Sequence, residues 1–450
     1  MRLYHEDTIC AIITPLGTSS IGAIRVSGRD SLPIVSSLFH SFSHQKNVES
    51  HKLYYGIISS KEKSIDDCTA IYMKDPRSYT KEDCVELFLH GNPIILQDAL
   101  SLLIKQGARL AEPGEFTKRA FLNGRFDLPQ AESIAEIISA KSKAYLEIVQ
   151  EQGRGVLSTY IENVVEKVLS CLAVIEANIE FPEDEIDPVY AKKARSEVAK
   201  IIKDLEKLTD DFESTRFLKE GISVALVGKV NVGKSTLMNT LLKKDRSIIT
   251  DIPGTTRDIV TDMISINGIN FILNDTAGLR VTHDAVEKIG LQKTYECIDS
   301  SDLVLFITDA TTEFDKEQEE LYTYIQKKRP CIGVLNKIDQ AKGREHKDFL
   351  KISAKDGFGI EELKNNFSLY AQKLIPRHTD MLVINLRQKS LIEDAKTNME
   401  RCASLIENNK ELELSAFELK EALVKLEEII GKKYSDDLLS TIFSKFCIGK

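Results

Sequence analysis

Val224-Ala225-Leu226-Val227-Gly228-Lys229-Val230-Asn231-Val232-Gly233-Lys234-Ser235 is a short apolar run followed by G-x-x-x-x-G-K-S. The residues after it, Thr236-Leu237-Met238-Asn239-Thr240-Leu241-Leu242, read as a helix. Strand, glycine loop and helix in that order form the setting of a phosphate-binding loop. Glycines let backbone N–H groups wrap around phosphate oxygens, and the helix aims its N-terminus at them. The expected phosphate-side residues are Asn231, Val232, Gly233, Lys234, Ser235 and Thr236. Lys234 would reach the β- and γ-phosphates, and the Ser235 hydroxyl would hold Mg²⁺. A chance glycine-rich turn would not need a strand and a helix in register on either side.

The residues around this loop alternate strands and helices from about 216 to 375, as a doubly wound, mainly parallel sheet requires. The expected strands are Ser223–Val227, Met263–Ile266, Phe271–Asn274, Leu303–Thr308 and Cys331–Leu335. Residues 1–118 read as a separate α+β domain. Its strands are Thr8–Ile13, Ile21–Val26 and Cys84–Leu89, followed by a helix over Pro93–Ile104. Arg25 and Glu86 lie inside apolar strands, which implies either an ion pair or a ligand site. Asp127-Leu128-Pro129-Gln130 looks like a helix start, and the stretch from there to about Phe181 is helical in pattern. Val198, Ile201, Ile202, Leu205, Leu208 and Phe212 then form one apolar stripe. Beyond Pro376 the pattern is helical again, with Gly431 as a stop and Ser435 as a start. The organisation expected is therefore multidomain α/β: 1–118, a helical part over 119–215, an inserted nucleotide-binding domain over 216–375, and a second helical part over 376–450. The two helical parts should pack together, because an insertion needs its ends close to each other.

Composition narrows the function classes. The chain has 450 residues, 29% charged and 42% hydrophobic, which suits a soluble globular protein. A formal net charge of −9 argues against nucleic acid binding over the whole surface, so RNA contact needs a local basic patch or a partner protein. Eight scattered cysteines without a C-x-x-C pair suggest neither zinc nor a disulfide framework. Glu6 and Asp7 precede only a short apolar run, unlike a signal peptide, and no apolar run approaches the roughly 18 residues of a membrane span. A cytoplasmic, reducing location without membrane association follows as the default.

Further motifs select the nucleotide. Asp275-Thr276-Ala277-Gly278 follows a strand; its aspartate would meet Mg²⁺ through water and its glycine N–H the γ-phosphate. Asp251-Ile252-Pro253-Gly254-Thr255-Thr256-Arg257-Asp258 lies between, a loop that a γ-phosphate would order, with Thr256 as second Mg²⁺ ligand. Asn336-Lys337-Ile338-Asp339 comes directly after a strand, where the Asp339 carboxylate accepts from guanine N1–H and the exocyclic amine. Ser353-Ala354-Lys355 would offer a backbone N–H to guanine O6. Four such motifs in this order make GTP, not ATP, the substrate. Leu279 stands where related enzymes place a water-orienting glutamine, and an aliphatic side chain cannot do that work. Arg280, Arg257 and Glu287 are the candidates to replace it. Asn231 would either admit a monovalent cation beside the phosphates or brace the loop.

The chain resembles the MnmE (TrmE) family of tRNA-modifying GTPases from end to end. The likeness rests on Gly22-Ala23-Ile24-Arg25-Val26-Ser27-Gly28, on Pro113–Glu132, on the GTPase motifs and on the tail Phe446-Cys447-Ile448-Gly449-Lys450. The resemblance implies a K⁺-stimulated, Mg²⁺-dependent GTPase and a homodimer. It implies an FAD-dependent MnmG-type partner, in a heterotetramer, that helps modify C5 of the tRNA wobble uridine. It implies K⁺ ligands at Asn231, Thr250, Ile252 and Thr255, a water-orienting Glu287, and a functional Cys447. A tetrahydrofolate derivative, in the 5,10-methylene or 5-formyl form, would bind at Arg25, Glu86, Arg125 and Lys450. Two departures stand out: Val230 in place of a common proline, and Thr18-Ser19-Ser20 in place of a more glycine-rich turn. The competing expectation is a GTP switch in ribosome assembly without modification chemistry.

Overall fold

The computed structural model describes residues 7–43, 45, 47–60, 63–180, 188–245, 262–275, 286–340, 348–375, 382, 384–407 and 412–450. The chain opens with β1 (Ile9–Ile12), β2 (Ser19–Ser27), α1 (Ser31–Ser36), α2 (His40–Ser43), β3 (Leu53–Ser59), β4 (Ser64–Met73), β5 (Cys84–Gly91), α3 (Pro93–Lys105) and β6 (Arg109–Leu110). The six strands form one sheet in the order β3-β4-β5-β2-β1-β6, antiparallel except for the β1–β6 pair. Its core joins Ile24, Val26 and Leu87 of the sheet to Leu96 and Leu103 of α3, all fully buried. The three strands read from the sequence are present: β1 is one residue shorter at each end, β2 is longer by two and one, and β5 runs two residues further. β3, β4 and β6 are additions. β3 exposes Leu53, Tyr55 and Ile57 at 60%, 70% and 39% while burying Tyr54 and Ile58, so apolar residues on both faces hide the period-2 signal.

α4 (Glu115–Leu122) leads to α5 (Leu128–Ser139), α6 (Lys143–Gly153), α7 (Val156–Glu180) and α8 (Pro188–Glu220). Asp127 starts α5 with a reciprocal box: its carboxylate accepts from Gln130 N at 2.9 Å, and Gln130 Oε1 accepts from Asp127 N at 3.0 Å. The long helical stretch expected up to Phe181 divides into three helices. Ala140 leaves helical geometry (ψ 123°), and the Ser142 hydroxyl caps α6 by accepting from Tyr145 N at 3.2 Å. Gly155, at φ +90°, makes the second break.

The second sheet begins with β7 (Ile222–Val227) and α9 (Lys234–Asp245), then β8 (Asp262–Ile266), β9 (Ile269–Asp275), α10 (Val286–Ser300), β10 (Leu303–Asp309), α11 (Lys316–Lys328), β11 (Cys331–Asn336), β12 (Leu350–Lys351) and α12 (Ile360–Leu374). Strand order is β12-β11-β10-β7-β9-β8. All pairings are parallel except β8–β9, which turn back through Asn267 (φ +51°) and Gly268 (φ +81°). Every residue of β10 is buried, as a strand covered on both faces must be.

α13 (Leu386–Glu407), α14 (Leu412–Ile430) and α15 (Asp436–Phe443) complete the chain. Gly431, at φ +76°, ends α14, and the Ser435 hydroxyl caps α15 by accepting from Leu438 N at 3.2 Å. Helices from both sides of the second sheet share one core: Leu157, Ile161, Val198, Leu205, Ile392, Met399, Leu419 and Leu426 are all fully buried in it. The ends of the insertion meet where the Ser214 hydroxyl donates to Leu374 O at 3.0 Å. A buried ionic knot ties this bundle to α5. Arg387, in the first turn of α13, donates through Nε and Nη2 to the two oxygens of Glu132, both at 2.9 Å. Gln388 Nε2 donates to the same carboxylate at 2.6 Å, and Arg387 also reaches Glu428 O and Ile429 O at the end of α14. Among the described residues no helix is long and apolar enough to cross a membrane.

Candidate functional site

The phosphate side of the site grows from β7. Its last residue, Val227, hands over to Gly228, where an added Cβ would lie 2.2 Å from Ile307 O of β10. Gly233, at φ +96°, would bring a Cβ to 2.3 Å from Asn336 Nδ2. Gly228 is therefore fixed by a neighbouring backbone oxygen, and Gly233 by its positive φ and the packed Asn336 amide. Lys234 opens α9 and is 6% exposed. Its Nζ donates to Gly228 O at 2.6 Å and Lys229 O at 2.8 Å, which leaves a third donor for a phosphate oxygen. Burial pushes its pKa below the ordinary lysine value, against the opposing pull of Asp275. Ser235 Oγ donates to Asp275 Oδ2 at 3.3 Å. A hydroxyl and a carboxylate brought this close are hard oxygen donors of the kind Mg²⁺ takes. The first helical bond of α9, Leu237 N to Gly233 O at 2.9 Å, aligns the helix N-terminus with the loop.

The base side is built from β11 and the segment after β12. Asn336, 2% exposed, is held between two main-chain groups. Its Nδ2 donates to Val232 O at 2.8 Å, and its Oδ1 accepts from Ala354 N at 3.0 Å. Lys337 adopts φ +63° and donates from Nζ to Asn231 O at 2.6 Å. The Ser353 hydroxyl donates to Asp339 Oδ1 at 2.8 Å, and that bond holds the carboxyl below the usual carboxylate range. Thr240 Oγ1 of α9 donates to Ala354 O at 2.7 Å, closing the ring of segments. Loop, Asn336-Lys337, Asp339 and Ser353-Ala354 thus form one connected set, while Thr236 and Lys355 are exposed at its rim. No sequence motif gives Thr240 a part in the site, because a hydroxyl on a helix face carries no local signature.

The Asp339 geometry makes a specificity prediction. Asp339→Asn replaces an acceptor-only carboxylate by a group that donates as well as accepts, so one guanine N–H loses its partner. GTP affinity should fall about a hundredfold, with xanthosine triphosphate, whose 2-oxo group can accept, becoming the preferred ligand. Equilibrium titration with both nucleotides checks this; an unchanged preference for guanine would overturn the assignment.

The N-terminal cluster is equally compact. Arg25 and Glu86 are directly opposite on β2 and β5, with Nε to Oε1 at 2.8 Å. The Arg25 guanidinium lies 4.4 Å from the Tyr79 ring centre and 5.4 Å from that of Phe116. The Arg125 guanidinium lies 4.7 Å from the Tyr79 ring centre, and its Nη1 donates to Tyr79 O at 2.6 Å. Tyr79 therefore meets two cations, a role that nothing in its sequence neighbourhood signals. The tail returns to the same place: Phe116 N donates to Lys450 O at 3.1 Å, and Gly449, at φ +97°, runs against Ile12 O. Gly114 N meets Cys447 O at 3.4 Å, with Cys447 exposed. Ring faces, guanidiniums and one carboxylate are the donor set that a flat heteroaromatic ligand with acidic groups would use.

The expected residues Thr250, Asp251, Ile252, Pro253, Gly254, Thr255, Thr256, Arg257, Thr276, Ala277, Gly278 and Arg280 lie outside the described residues. Glu287 falls in the first turn of α10, and its side chain is likewise outside them.

Residues 128–447 match the family model of the MnmE helical domain, and residues 8–125 match that of the GTP-binding protein TrmE N-terminus. The chain is 42% identical over 459 residues to a tRNA modification GTPase MnmE of Thermoanaerobacter pseudethanolicus, covering 99% of each chain. It is 38% identical over 458 residues to the tRNA modification GTPase MnmE of Thermotoga maritima, covering 99% of this chain and 100% of that one. A crystal structure of Era from Aquifex aeolicus with GDP and AlF4⁻ is 28% identical, at a TM-score of 0.27, over 40% of this chain and 67% of that one.

Proposed function

Because the chain belongs to the MnmE family of tRNA modification GTPases, we propose that it is a K⁺-stimulated GTPase acting on tRNA with an FAD-dependent MnmG-type partner. The product is an aminomethyl or carboxymethylaminomethyl group at C5 of the wobble uridine. The observation that carries the GTPase half is the connected set of loop, Asn336-Lys337, Asp339 and Ser353-Ala354. Lys234 and the α9 N-terminus bind and orient the phosphates; Asp339 selects guanine by accepting two N–H bonds. Ser235, with Thr256, would hold Mg²⁺, which neutralises phosphate charge when bound. Asn231, with Thr250, Ile252 and Thr255, would hold K⁺, which offsets charge developing at the β–γ bridge. Glu287 orients the attacking water, with Arg257 as a further candidate.

The modification half rests on the N-terminal cluster. Arg25, Glu86, Arg125 and the tail around Lys450 hold a tetrahydrofolate derivative, the source of the one-carbon unit. The tail brings Cys447 beside Gly114 at the start of α4. GTP hydrolysis drives conformational cycling of a homodimer in the cytoplasm. The rival reading, a ribosome-assembly switch, loses its ground to the match of residues 8–125 with the TrmE N-terminus. Mass spectrometry of tRNA nucleosides after gene deletion tests the proposal. Loss of the C5 substituent, restored by the wild-type gene, is expected; an unchanged wobble uridine would remove it.

A further inference from the structure

Asp309 closes β10, a strand whose other six residues are apolar or the small hydroxyl residue Thr308. Its register partner is Asn336 of β11, and Ala310 N donates to Asn336 O at 2.8 Å, so the two strand ends stay side by side. The Asp309 side chain is 9% exposed and committed through both oxygens. Oδ1 accepts from Thr311 N at 2.8 Å and Thr311 Oγ1 at 2.7 Å; Oδ2 accepts from Lys337 Nζ at 2.6 Å. The same Nζ donates to Asn231 O at 2.6 Å. A carboxylate pinned at both oxygens cannot swing, so it fixes the ammonium, and the ammonium fixes a P-loop peptide.

That peptide needs fixing. Asn231 stands at φ +65°, a left-handed conformation that a non-glycine residue keeps only when its surroundings impose it. Two successive loop carbonyls are gripped from outside, Val232 O by Asn336 and Asn231 O by Lys337. The Asn231 residue itself is exposed. Its backbone conformation sets the direction of the Cα–Cβ bond, and with it the region the carboxamide can reach.

We infer that Asp309 is a positioning residue for the monovalent cation: through Lys337 it holds the Asn231 backbone in the conformation that presents the carboxamide oxygen to K⁺. This rests on the cation reading of Asn231 proposed above. It adds a residue that touches neither nucleotide nor ion, and it makes ion affinity depend on the loop that reads the base.

The test is K⁺ activation of GTP hydrolysis by the full-length protein, at saturating GTP and constant ionic strength, for wild type and Asp309→Asn. Asparagine keeps the size, but its Nδ2 only donates, so the side chain can no longer accept from both Lys337 and the Thr311 donors. The K⁺ concentration for half-maximal activation should rise about fivefold to tenfold, while the limiting rate at saturating K⁺ and the affinity for GDP stay within about twofold. A merely structural loss would lower the limiting rate and GDP affinity without moving the K⁺ midpoint, and that pattern overturns the inference. Should Asp309→Asn not fold, Thr311→Val, at an exposed position, removes one donor from the same carboxylate and should shift the midpoint the same way by about twofold to threefold. An unmoved midpoint there also overturns it. If wild type hydrolyses GTP equally fast in K⁺ and Na⁺, the cation reading falls and this inference with it; if wild type is K⁺-dependent and the variants match it, this inference falls alone.

Discussion

Replacing Lys234 by methionine is expected to lower GTP hydrolysis about a thousandfold while leaving the unliganded fold intact. The ammonium stands at the start of α9, bonded to Gly228 O and Lys229 O, so its position does not depend on the ligand arriving. Preorganised charge of this kind needs no reorganisation as negative charge shifts toward the leaving oxygen. It sits in a site buried enough to depress its own pKa, where a charge acts more strongly than in water. Methionine fills the same slot without that desolvation cost, so the melting temperature of the apo-protein should hold. Single-turnover phosphate release at saturating GTP measures the effect. A variant retaining more than about a tenth of the wild-type rate would show that the lysine does not face the transferring phosphoryl group.

Glu132→Ala should cost about 3–5 kcal/mol of stability, because it strands Arg387 in the interior. The carboxylate takes two bonds from Arg387 and one from Gln388, and Arg387 in turn satisfies Glu428 O and Ile429 O. Losing the anion leaves a guanidinium 18% exposed without its counter-charge, together with an amide donor. The double variant Glu132→Leu with Arg387→Met should recover most of the loss, since apolar side chains of similar volume replace a buried pair at little cost. Denaturant unfolding of the three proteins gives the comparison. Near-equal stability of the single and double variants would mean that the pair is solvated. The knot joins α5 to α13 and α14 across some 255 residues of sequence, so its loss should loosen the seam between the two helical parts before either sheet.

Sequence patterns carried the local features. The apolar runs of β7, β10 and β11 are buried on both faces, and such runs stand out in any window. The glycine loop and the Asp127 box are also local, each defined within a few residues. Partnerships made through space stayed hidden. Tyr79 between two guanidiniums, Asp309 behind Lys337, and Thr240 on Ala354 each join residues 28 to 114 positions apart, or, for Tyr79 and Arg125, 46. β3 is not marked in the sequence because outward Leu53, Tyr55 and Ile57 blur the alternation of a half-buried strand. Arg25 and Glu86 were visible as anomalies, yet only their register on β2 and β5 shows them face to face.

Helix α8 ends at Glu220 and β7 begins at Ile222, with Gly221 alone between them. Thirty-three residues at 1.5 Å each make an arm of about 50 Å fused almost directly to the strand that carries the nucleotide loop. A rotation of β7 by about 10° would sweep the distal tip of such an arm through about 9 Å. Because Val198 and Leu205 anchor α8 in the shared helical core, such a displacement would pass to the bundle as a whole, and a spin label near Arg195 would register it.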